Sequence, residues 1–82
     1  MDDFTIKELE AEVLQQYDNG NYQPLGQDGG VLKYVLVYTK NGIARASITL
    51  DSEIAQIKRI WELSVDNKTV YDMTRQYYKL RV

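Results

Sequence analysis

The stretch Val31 to Leu50 constrains this chain more than any other, because two runs of strand-forming residues meet there at Lys40-Asn41-Gly42-Ile43. Asn-Gly between alternating apolar residues is the strongest local signal for a β-hairpin, since both residues tolerate the positive φ of a tight turn. Two registers satisfy the alternation. A two-residue Asn41-Gly42 loop pairs Val37 with Ala46 and Val35 with Ile48, which buries the valines and turns Tyr34, Leu36 and Tyr38 outward beside Arg45 and Ser47. A three-residue loop with a bulge at Gly42 flips the first strand and sends Leu32, Tyr34, Leu36 and Tyr38 inward instead. Both keep Ala44, Ala46, Ile48 and Leu50 inside. The first is preferred, because it gives β-branched valines to the core and leaves the tyrosine hydroxyls in water.

The flanking segments read as helix and strand. Thr5-Ile6-Lys7-Glu8 is a capping box, Phe4 and Leu9 are placed for a hydrophobic staple, and Ile6, Leu9, Val13 and Tyr17 recur at helical spacing. Asp18-Asn19-Gly20-Asn21 stops that helix. Tyr22 to Leu25 predicts a short strand that Pro24 confines to an edge, and Gly26 to Gly30 a loop. Asp51 or Ser52 caps a second expected helix with Ile54, Ile57, Ile60, Trp61 and Val65 on one face. Asp66-Asn67-Lys68 interrupts it, and Thr69-Val70-Tyr71-Asp72 resembles another capping box, opening a last helix with Val70, Met73, Tyr77 and Leu80 on one side. The expected fold is therefore one α+β domain over residues 1–82: a small antiparallel sheet (hairpin 31–50 plus a short edge strand near 22–25) packed by an N-terminal helix and two C-terminal helices. Trp61, Ile57, Ile48, Leu9 and Val13 are expected to be buried together.

Several chemistries lack their reagents. The chain has no cysteine and no histidine, so it has no thiolate, no disulfide and no group that titrates near neutrality without strong perturbation. Asp51 and Glu53 are better explained as a helix cap and a first-turn acid than as a catalytic pair. Ser47, Ser52 and Ser64 have no histidine base. Gly26-x-x-Gly29-Gly30 lacks the Lys-Ser/Thr pair and following helix of a phosphate loop, and Asp18 to Asn21 lacks the acidic spacing of a calcium loop. The expectation is a non-enzymatic protein with no cofactor and no metal. The acidic start Met1-Asp2-Asp3-Phe4 is unlike a secretory signal, and no segment reaches the ~20 apolar residues of a membrane helix, so a cytoplasmic location is expected.

Charge and aromatic content point to a partner. Residues 1–30 carry seven acids against Lys7 alone, whereas residues 31–50 carry Lys33, Lys40 and Arg45 and no acid. Such asymmetry can orient an approaching molecule, although most surface charge serves only to keep a protein dissolved. Seven tyrosines, one tryptophan and one phenylalanine exceed what the helical faces absorb: Trp61, Tyr17 and Tyr77 are expected in the core, and Tyr34, Tyr38, Tyr71 and Tyr78 are among those left over. Two binding surfaces follow, an acidic face of Glu8, Glu10 and Glu12 and a strip of Tyr34, Leu36 and Tyr38 flanked by Arg45. A covering C-terminal helix would produce the same strip with no partner. The alternative is a nucleic-acid-associated domain using Lys33, Lys40, Arg45, Lys58, Arg59, Arg75, Lys79 and Arg81.

Two known layouts are similar. Helix, three strands and helix is the order of the double-stranded-RNA-binding domain, with Tyr22-Gln23-Pro24-Leu25, the hairpin and the segment after Asp51 at compatible spacing. That family opens its second helix with a Lys-Lys cluster, where this chain has Asp51-Ser52-Glu53, so phosphate is repelled. The full order also resembles small phage-encoded anti-CRISPR proteins, with Asn41-Gly42 at the hairpin and Asp51-Ser52-Glu53-Ile54 opening the next element. This resemblance implies a non-enzymatic inhibitor of a nucleic-acid-processing host protein such as a CRISPR effector nuclease. Those inhibitors mimic DNA by presenting acidic clusters to a basic groove, a part that Glu8, Glu10, Glu12 and Asp18 would play here.

Overall fold

A computed structural model describes residues 5–27, 32–50 and 58–80. Helix α1 spans Ile6–Asp18, strands β1 to β5 span Tyr22–Gln27, Lys33–Thr39, Gly42–Leu50, Lys58–Val65 and Lys68–Asp72, and helix α2 spans Thr74–Leu80. The strands form one antiparallel sheet in sequence order. The architecture is α+β, with α1 on one face.

Helix α1 begins where the sequence places it. The Glu8 N–H donates to the Thr5 hydroxyl at 3.1 Å and the Thr5 N–H to the Glu8 carboxylate at 2.9 Å, which satisfies two amides that the first helical turn leaves free. Leu9 and Val13 then face the sheet and meet Val35, Val37, Ala44, Ala46, Ile48, Ile60, Leu63 and Val65 in the main core. The other half of the expected staple, Phe4, lies outside the described residues.

In the hairpin β2–β3 the valines are buried and Tyr34, Leu36 and Tyr38 lie on the opposite face, as preferred. The pairing itself is shifted by two residues. Val37 pairs with Ala44 and Val35 with Ala46, and the two-residue loop is Lys40-Asn41. The Thr39 hydroxyl holds this loop, accepting from the Asn41 N–H at 3.1 Å and donating to the Gly42 carbonyl at 2.7 Å. Gly42 thus opens β3 at φ +126°, where a Cβ would lie 2.7 Å from an Asp66 carboxylate oxygen. The glycine is needed for that close approach, not for the loop.

The expected second helix is corrected: residues 58–65 form β4, and Ile54, Ile57 and the caps Asp51 and Ser52 lie outside the described residues. Asp66-Asn67 does not interrupt a helix but turns β4 into β5, with φ 51° and 68°. Positive φ at both central residues is the signature of the turn that matches the twist of an antiparallel pair. The helical misreading has a physical cause. Ile48 pairs with Ile60 but Ser47 with Glu62, so Trp61 is an extra residue in a bulge. The bulge stretches the inward spacing to Ile60, Leu63, Val65 and imitates a helical step.

The last helix also starts later than expected. Thr69, Val70 and Tyr71 are strand, and the Asp72 carboxylate accepts from the Thr74 N–H at 3.0 Å at the entry to α2. Val70 is a second extra residue, since Leu63 pairs with Tyr71 and Ser64 with Thr69. Both Val70 and Tyr71 pack at the rim of the main core. At the other edge, Pro24 sits in β1 next to a bulge at Leu25, which agrees with its confinement to an edge strand.

Trp61 does not join Ile48, Leu9 and Val13. The bulge turns it to the opposite face, where it is buried with Leu32 and Tyr77 beneath α2. Its indole N–H donates to the Thr49 hydroxyl at 2.8 Å, the Tyr77 ring meets it edge-on at 5.4 Å, and the Arg59 guanidinium lies 4.9 Å from its ring centre. The Met73 N–H donates to the Trp61 carbonyl at 2.6 Å and fixes the start of α2 on β4.

Candidate functional site

Strand alternation gives the sheet an inner face under α1 and an outer face. Helix α2 covers the outer face only around Trp61. Elsewhere that face presents side chains from β1 to β5.

At the hairpin end lies an apolar strip. Tyr38 is 46% exposed and faces its cross-strand partner Ile43, 49% exposed, while half-buried Leu36 sits opposite Arg45. Leu25, pushed out by the β1 bulge, is 40% exposed. The Tyr38 hydroxyl donates to the Gln23 side chain at 2.9 Å, which holds the ring along the strip.

Next to the strip lies a groove of about 350 Å³ lined by Leu25, Tyr34, Arg45, Ser47, Glu62 and Thr69. Its floor is polar. The buried Ser47 hydroxyl donates to one Glu62 oxygen at 3.1 Å, and Ser64 stands opposite Arg45. Four of the sequence-predicted binding residues, Tyr34, Leu36, Tyr38 and Arg45, thus share one face. The covering helix lies over the Trp61 cluster, against which Tyr34 packs, and leaves Tyr38 exposed.

Each of the three acids of α1 accepts a hydrogen bond within the fold. Glu8 is spent on the capping box, where the Thr5 N–H and then its hydroxyl hold the carboxyl below the usual range. Glu10 accepts from the Tyr71 hydroxyl at 2.6 Å. Glu12 is buried and accepts from Gln16 at 3.2 Å and from the Lys40 N–H at 3.4 Å. Glu8 and Glu12, one turn apart, share a side of the helix, whereas Glu10, two residues from each, points away from them.

The cations are likewise dispersed. Lys58 pairs with Asp18 at 2.9 Å and Arg59 stacks on Trp61. Lys33 and Lys40 flank opposite ends of β2, Arg75 and Lys79 lie on α2, and Arg81 is outside the described residues. Among the described residues, no cluster of three acids suited to a metal ion is found, and no helix is long and apolar enough to cross a membrane.

Sequence reasoning missed Leu25, Ile43 and Glu62 as members of this face. The first two were legible as apolar neighbours of a bulge-prone proline and a turn, but Glu62 was hidden by the helical reading of its segment. Comparison with known protein families, characterised proteins and solved structures finds no match.

Proposed function

We propose that this protein is a non-enzymatic binding module whose contact surface is the outer face of β1 to β3, with Tyr34, Leu36, Tyr38 and Arg45 as its centre. The observation that carries the reading is the exposed Tyr38–Ile43 pair beside Leu36 and Leu25. Aromatic and aliphatic side chains grouped around one arginine have the composition of interface hot spots. A protein partner is favoured over nucleic acid, because phosphate binding draws on several cations along one track and here Lys58 and Arg59 are already engaged within the fold. Inhibition of a nucleic-acid-processing host protein remains within this reading if it acts through the strip. A DNA-mimic version would need an acidic surface, to which the buried Glu12 adds little.

The test is capture of partners on immobilised wild-type protein, Leu36→Asp and Tyr38→Ala, with folding of each checked by circular dichroism. A protein held by the wild type and lost from both folded variants supports the reading. Equal capture by all three sinks it. Retention on heparin that falls steeply with salt would favour nucleic acid instead.

A further inference from the structure

We infer that the outer face binds a second copy of this chain, through a two-fold interface in which Arg45 of each copy meets Glu62 of the other. The inference rests on the outer face being a binding surface and names its partner.

Charge placement carries it. Arg45 and Glu62 both line the groove. Arg45 stands opposite Ser64 and Glu62 opposite Ser47, so cation and anion occupy diagonal positions on neighbouring strands, about 7–8 Å apart at the backbone. Side chains of this length span such a gap, yet among the described residues neither is in an ion pair. Ser47 occupies one oxygen of Glu62 and leaves the other for an outside donor. The face therefore carries one cation and one anion side by side, each without a charged partner among the described residues.

A surface with that pattern is complementary to itself. An axis lying between two facing copies, above the midpoint of the diagonal and perpendicular to it, brings each arginine over the other copy's glutamate. Guanidinium and carboxylate match as planar groups and can join through two parallel hydrogen bonds. The same rotation carries the bare strip of Leu36, Tyr38 and Ile43 toward the α2 end of the second copy, where Tyr78 is 49% exposed. The uncovered half of one face thus meets the helix-bearing half of the other.

Sedimentation equilibrium over a range of concentrations tests this with four proteins: wild type, Arg45→Glu, Glu62→Arg and the double reversal. The expected wild-type species is a dimer at high concentration, twice the 9.5 kDa chain mass. Each single reversal sets like charges face to face and is expected to raise the dissociation constant at least tenfold. The double reversal restores the pairs with exchanged signs and should return to within about threefold of wild type. Leu36→Asp separates the two layers of the argument. A dimer indifferent to the charge reversals but lost with Leu36→Asp overturns the Arg45–Glu62 contact and keeps the outer face as the interface. A dimer indifferent to every substitution overturns both. A wild type that stays monomeric throughout overturns the self-association and leaves the outer face to the other partner sought by capture.

Discussion

The Tyr71 hydroxyl donates to the Glu10 carboxylate across 2.6 Å, joining the last strand to the first helix over sixty-one positions of sequence. Burial first, and the bond to Glu10 second, push the phenol well above its ordinary value of 10.0. A raised folded-state value means that the protonated phenol is favoured by the fold. Its contribution is therefore complete below pH 10 and declines as pH rises beyond that value. Tyr71→Phe is expected to cost about 1–2 kcal/mol, less than a fully buried charged hydrogen bond because the site is half open. Urea unfolding checks the loss, and the tyrosine ionisation seen above pH 10 in an ultraviolet titration of the wild type should shrink in Tyr71→Phe.

Trp61 is the second prediction. Truncation to Ala removes the centre of the small cluster with Leu32 and Tyr77 and is expected to cost about 3–5 kcal/mol, a large share of the stability of so short a chain. Trp61→Phe keeps most of the packing but leaves the Thr49 hydroxyl without its donor, for a loss of about 1–2 kcal/mol. An unchanged melting temperature for Trp61→Ala would refute the cluster.

At the paired turns, Gly42→Ala is expected to destabilise by about 1–3 kcal/mol, since φ +126° is poorly tolerated by a side chain. Asn67→Val should also destabilise, because a β-branched residue resists φ 68°, whereas Asn67→Gly is expected to fall within about 1 kcal/mol of wild type. Chemical denaturation of the three variants orders them.

Acid should act on Glu8 and Asp72. The backbone and hydroxyl of Thr5 lower the first, and the hydroxyl and backbone of Thr74 lower the second. A depressed folded-state value means stability that is complete above the ordinary values of 4.5 and 3.8 and lost as pH falls below them. Glu8→Gln and Asp72→Asn should each flatten that acid limb in melting temperature measured against pH. A limb equally steep in both variants would show that other carboxylates govern it.

Local chemistry decided what the sequence determined alone. The capping box joins Thr5 to Glu8 across one helical turn, so α1 begins where those residues stand whatever surrounds it. The two faces of β2 followed from alternation of Val35 and Val37 with Tyr34, Leu36 and Tyr38, and Pro24 marked an edge because it has no N–H to give. These signals act within a few residues. The hairpin register, the strands β4 and β5 and the position of Trp61 depend on distant groups. Gly42 opens β3 because an Asp66 carboxylate oxygen lies 2.7 Å from where a Cβ would stand, and Lys40 sits in the loop with its N–H held by Glu12. Trp61 points away from the main core because β4 bulges against Ser47 and Ile48, and that extra residue gave a strand the spacing of a helix. Arg45 and Glu62 came onto one groove only when the sheet paired them across strands. Cross-strand pairing selects among registers that are locally almost equivalent, so tertiary contacts had to choose.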